Sequence, residues 1–182
     1  MKAAKWRKAV LLSIRKIVFG LEDSLVSTLG TVTGIAIGTR SSHLVILSGF
    51  VLLAAEGMSM AAGSYLSSKS ADEADRLLHK AEPHEHASSP VRAGTVMGIC
   101  YFMGGLVPLL PYFFLPIVQA ISVSIPITAA VLFLVGYWSG TYTKRPRVRS
   151  GVEMVLISLS AAALGYLMAV LVSWYFGTNV VN

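Results

Sequence analysis

Charge is what this sequence has least of. Asp, Glu, Lys and Arg make up 13% of its 182 residues, where a soluble domain carries about a quarter. A chain this poor in charge and 54% hydrophobic does not read as a water-soluble globule; it reads as an integral membrane protein. Acidic side chains are the scarcest, nine against 15 basic ones. Cys100 is the single cysteine, so no intrachain disulfide can form. The long apolar runs show no two-residue alternation, which excludes spanning strands and leaves helices. A convincing secretory signal is also missing, because the apolar stretch 9–14 is short and is closed by Arg15 and Lys16. No catalytic triad pattern and no soluble repeat occurs.

The basic residues that are present come in clusters. Lys2, Lys5, Arg7, Lys8, Arg15 and Lys16 form one; Lys69, Arg76, Lys80 and Arg92 a second; Lys144, Arg145, Arg147 and Arg149 a third. Apolar stretches separate them, so they mark loops on one side of a membrane. That distribution argues against a nucleic-acid partner and for a lipid bilayer. The spacing of Trp6, Val10 and Ile14 fits an interfacial amphipathic helix over 1–16; a plain basic flank that fixes topology fits equally.

The pattern predicts an all-α integral membrane protein with five transmembrane helices, at about 17–38, 44–67, 91–110, 117–138 and 152–174. The first two form a hairpin, 17–67. A polar linker, 68–90, separates it from the three-helix remainder, 91–176. This count puts the N-terminus in the cytoplasm and the C-terminus outside, and leaves Arg40 as the one basic residue on the outer side. Trp138, Tyr137, Trp174, Tyr175 and Phe176 then fall at interfaces. Pro108 and Pro111 are expected to end the third helix, and Pro126 to kink the fourth.

Against this apolar background the few acids stand out. Glu22 and Asp23 lie inside the first run, where each costs about 3 kcal/mol to insert. Gly30, Gly34 and Gly38 follow at intervals of four and mark a face for close helix approach. Asp23 and Ser27 lie close to that face, and Glu22 is turned about 100° from it. In the second run, Glu56 and Met60 share a face, with Gly63 near it. Helical rise puts Asp23 roughly 9 Å and Met60 roughly 11 Å from the cytoplasmic ends of their helices, so the two are level and Glu56 is a turn deeper. Carboxylates and a thioether in one column suit a divalent transition metal, although packing alone also accounts for a methionine. In the linker, Glu73, Glu82, His84, Glu85 and His86 form either a loose metal-binding tract or a solvated connector. Glu153 opens the fifth run, where the helix dipole favours it; a place at the inner mouth of a pathway is the alternative.

Four stretches carry a resemblance. Gly20-Leu21-Glu22-Asp23-Ser24-Leu25-Val26-Ser27-Thr28, Ser59-Met60-Ala61-Ala62-Gly63-Ser64-Tyr65-Leu66, Gly104-Gly105-Leu106-Val107-Pro108-Leu109-Leu110-Pro111-Tyr112 and Arg149-Ser150-Gly151-Val152-Glu153-Met154 resemble the vacuolar iron transporter family. The resemblance implies a homodimer of five-helix subunits with its pathway on the two-fold axis. It implies export of ferrous iron, and often manganese, from the cytosol in exchange for protons. The cargo is substrate, and no resident cofactor is expected. The family's pathway aspartate and methionine fall on Asp23 and Met60. Its second-helix glutamate falls where this chain has Leu52, with Glu56 one turn nearer the methionine. Larger members carry a glutamate-rich cytoplasmic domain where this chain has only 68–90.

The expected function is therefore transport and not catalysis, with Asp23, Met60 and Glu56 binding the ion and Gly30, Gly34, Gly38 and Gly63 serving helix or dimer contacts. A scaffold whose glycine faces serve assembly, or transport of another substrate, are the competing readings. In a prokaryote the membrane is the plasma membrane.

Overall fold

A helix inside a bilayer satisfies its own backbone, so long apolar runs fold as helices and breaks fall where the chain supplies a turn. The computed structural model describes residues 2–79, 89–143 and 145–175. It holds six helices among them: α1 (Lys2–Thr39), α2 (Ser42–His79), α3 (Pro90–Leu109), α4 (Pro111–Phe114), α5 (Ile117–Thr143) and α6 (Arg147–Tyr175). No strand occurs among the described residues. The basic segment 1–16 and the first apolar run belong to one continuous helix from Lys2 onward. Of the aromatics expected at interfaces, Phe176 lies outside the described residues.

The ends of these helices follow from local chemistry. Only Arg40 and Ser41 separate α1 from α2, and Arg40 adopts a left-handed φ of 50°. Ser89 caps α3 by accepting a hydrogen bond from the Arg92 backbone N–H, with Pro90 in the first turn, where its missing N–H costs nothing. Pro108 does not end α3 but lies inside it, buried. The break falls after Leu109, and Pro111 starts the short α4, so the expected turn at 111–116 contains a helical turn of its own. Pro146 precedes α6, and its carbonyl accepts from the Ser150 N–H at 3.0 Å. The helix therefore starts at Arg147, and Glu153 sits in its second turn. That corrects the expectation that Glu153 opens the helix under the dipole: α6 has no acid in its first turn.

Among the described residues four helical stretches are long and apolar enough to cross a membrane: Ser42–Ala74, Pro90–Leu109, Ile117–Tyr142 and Arg147–Val172. α1 is not one of them, because Glu22, Asp23 and its many Ser, Thr and Gly residues dilute its apolar run. It is nevertheless the centre of the bundle. α2 and α3 pack together, as do α5 and α6, and α1 touches all four. Ser24, Leu25, Thr28, Leu29, Val32 and Ala36 are buried along it. Val32 and Ala36 join Val45, Leu53, Tyr101, Leu109, Tyr112 and Ala120 in one core cluster.

Two glycines of α3 make this closeness possible. A Cβ at Gly104 would collide with Ser24 Oγ, and one at Gly105 with a methyl of Leu53, with Thr28 Oγ1 2.7 Å away. Farther along α3, Ser124 of α5 donates to the Pro108 carbonyl at 2.7 Å, a bond that counts in a medium without water.

Candidate functional site

Glu56 projects from the middle of α2 into the contact with α1 and α3. Its Oε2 accepts a hydrogen bond from the Tyr101 hydroxyl. That hydroxyl also lies 2.8 Å from Ser27 Oγ. A phenol has one hydrogen, so with it committed to Glu56 the Ser27 hydroxyl donates to Tyr101. The chain Ser27–Tyr101–Glu56 thus crosses from α1 through α3 to α2. Asp23, one helical turn from Ser27, interacts electrostatically with Glu56. One carboxylate, a phenol and an alcohol are hydrogen-bonded in the part of the bundle that lies inside the apolar runs, with the Asp23 carboxylate a turn of α1 away.

The other predicted residues fall into three places. Met60 lines a cavity of about 560 Å³ between α1, α2 and α3, together with Lys16, Phe19, Ser64, Ser68 and Met97. Asp23 is not among the residues that line it, and Met97 of α3 stands beside Met60 there. Lys16 Nζ donates to Ser68 Oγ at 3.0 Å and bridges α1 to α2. Burial pushes the Lys16 ammonium below its ordinary pKa, and the Asp72 charge pulls it part of the way back.

Glu22 is turned away from Asp23 and lines a second cavity, of about 180 Å³, with Glu153, Met154, Ser139 and Arg145. The sequence kept Glu22 and Glu153 apart; the packing of α1 on α5 and α6 brings them together, with the Arg145 charge beside them. Gly30, Gly34 and Gly38 line a groove of about 560 Å³ against Gly165, Met168 and Val172 of α6. Gly165 comes close to the Gly30 backbone, while a Cβ at Gly38 or Gly63 would meet nothing within 4 Å.

In the linker, Glu73 is exposed and pairs with Lys69 at 3.9 Å, a contact worth little at a surface. Glu82, His84, Glu85 and His86 lie outside the described residues. Among the described residues, no three of His, Cys, Asp and Glu cluster closely enough to hold a metal ion. Sequence reasoning missed Tyr101. A signal existed: it shares a face of α3 with Gly94, Met97, Gly104, Gly105 and Pro108, all buried, and a tyrosine on a glycine face meets another helix and not lipid.

A family model described as the VIT family matches residues 14–87 and 74–170. The two matched pieces overlap inside the linker. Vacuolar iron transporter 1 of Eucalyptus grandis is 27% identical over 211 aligned residues, covering 86% of this chain and 85% of that protein. Vacuolar iron transporter 1 of Arabidopsis thaliana is also 27% identical, covering 86% and 84%. An uncharacterised protein of Methanocaldococcus jannaschii is 30% identical over 167 residues, covering 85% and 87%. The plant alignments run to 211 residues, more than the 182 of this chain, so the plant proteins hold residues that this one lacks.

Proposed function

The chain belongs to the VIT family, and from that premise we propose that it carries divalent transition-metal ions across a membrane. It is an integral membrane protein and a transporter, not an enzyme. The observation that carries the reading is Glu56, held by Tyr101 inside the apolar bundle, with the Asp23 carboxylate one helical turn from the Ser27 that touches the same hydroxyl. Charge at that depth is expensive unless a cation or a proton answers it. Ferrous iron is the first cargo, because relatives named vacuolar iron transporters match most of the chain; manganese is the second. Export from the cytosol against protons is the proposed direction and coupling.

α1 is read as the fifth span, enclosed by the four apolar ones. The N-terminus then faces the cytoplasm and the C-terminus the outside, with every Lys and Arg but Arg40 on the inner side. In a prokaryotic cell the membrane is the plasma membrane. One protomer offers few ligands, and a two-fold pair doubles Asp23, Glu56 and Met60. The exposed run of Ala54, Ala55, Met58, Ser59, Ala62 and Gly63 on α2 suits such a contact, since small residues let helices approach.

Proteoliposomes holding a metal-quenched dye test this. Wild type is expected to admit ferrous iron faster when a proton gradient opposes the metal. Asp23→Ala is expected to cut the initial rate by roughly 100-fold or more, and Met60→Ala by about tenfold, in line with losing a charged and a neutral ligand. Undiminished flux in both variants rules out the site.

A further inference from the structure

We propose that Tyr101 is the positioning residue for Glu56: its hydroxyl, anchored to Ser27, holds the carboxylate in one orientation that favours monodentate binding and so tunes the site toward small divalent ions. The inference rests on the transport reading above and adds to it a residue and a selectivity.

The geometry carries it. Tyr101 is wholly buried, packed in the core cluster with Leu53 and Leu109. A tyrosine ring has few rotatable bonds, so packing fixes the hydroxyl at its tip as well. Glu56 is long and flexible, and it sits on a helix whose next turn on one side, at Ser59 and Met58, is exposed. Without a partner its carboxylate would sample several directions. With Oε2 accepting from Tyr101 of α3, Glu56 is turned inward, toward the hydroxyl that also touches Ser27 of α1. The Ser27 hydroxyl at 2.8 Å holds the phenol from the far side.

One lone pair of Glu56 Oε2 is thereby taken and the carboxylate is held in one orientation, leaving Oε1 the better donor. A carboxylate so held favours monodentate binding over symmetric chelation through both oxygens. Calcium takes six to eight oxygens and often uses both from one carboxylate, whereas smaller ions need fewer ligands at shorter distance. The clamp therefore disfavours calcium without any change in the ligands.

The test uses Tyr101→Phe, which keeps the ring and removes the hydroxyl. Full-length wild type and variant are compared in proteoliposomes for initial rates of ferrous iron and manganese transport, with calcium as competitor. The expected result is a rise in KM of about tenfold with Vmax within about twofold, from loss of a hydrogen bond to a charged group, and stronger inhibition by calcium. Ser27→Ala, which leaves the Tyr101–Glu56 bond in place, is expected to raise KM by about threefold. In a Glu56→Gln background Tyr101→Phe is expected to add nothing, as for two residues acting as one unit. An unchanged KM in Tyr101→Phe overturns the inference while leaving transport standing. An equal rise in KM in the Glu56→Gln background overturns it too, since Tyr101 then acts elsewhere. A loss of Vmax alone, with lowered thermal stability, makes Tyr101 a packing residue only. A wild type that moves no metal overturns the transport reading and takes this inference with it.

Discussion

α1 and α6 cross the same bundle and are built on opposite principles. α1 carries Glu22, Asp23, Ser24, Ser27 and Thr28, too polar a run to count as a span by composition, yet it touches every other long helix. Ser24 and Thr28 are wholly buried in it. α6 is far more apolar, with a mean hydropathy of 2.3 over its span, and it is the more exposed: Leu156, Leu164, Leu167 and Leu171 are each more than half exposed. In water the greasier helix would be the inner one. In a bilayer lipid tails are as apolar as leucine, so burying leucine gains little, while small hydroxyl residues let helices approach and carboxylates find partners among other helices, as Glu56 finds Tyr101. Polarity, and not hydrophobicity, therefore marks the central helix here.

This contrast can be broken at chosen positions. Leu164→Asp places an acid on the outward face of α6 and is expected to cost about 3 kcal/mol, seen as a large drop in folded yield and thermal stability in detergent. Were it tolerated, α6 would face protein and not lipid. Gly105→Leu drives a side chain into Leu53 and Thr28 and is expected to cost about 2 kcal/mol through overpacking at the α1–α3 contact, read as a lowered unfolding midpoint. Leu171→Ala, on the lipid face, is expected to shift that midpoint by less than about 0.5 kcal/mol. A larger effect would show that α6 packs against something its exposure does not reveal.

The helical class and the break between α1 and α2 were legible because a bilayer permits few solutions for twenty apolar residues. The acids were legible for the same reason, since each is costly where it stands. Element ends were less so: Pro108 looked like a terminus, but it lies in a helix whose loss of one backbone bond the packing tolerates. Glu153 looked like a helix opener because the basic run 144–149 read as a loop, although Pro146 was a local signal that α6 starts at Arg147, two turns earlier. The cavity shared by Glu22 and Glu153 joins residues more than a hundred positions apart, which helical periodicity cannot register. Tyr101 was hidden by its chemistry. An aromatic in an apolar run reads as filler unless the glycines on its own face are taken as a sign of what lies opposite.

The two-residue link at Arg40 and Ser41 has a mechanical consequence. It leaves no slack, so α1 and α2 cannot slide past one another at that end. Relative motion of the pair must be angular, like tongs with their pivot at Arg40. At the open end the Lys16–Ser68 bond is a latch between the arms. Asp23 and Glu56 lie between pivot and latch, so a small change of angle there becomes a graded change in the separation of the two carboxylates.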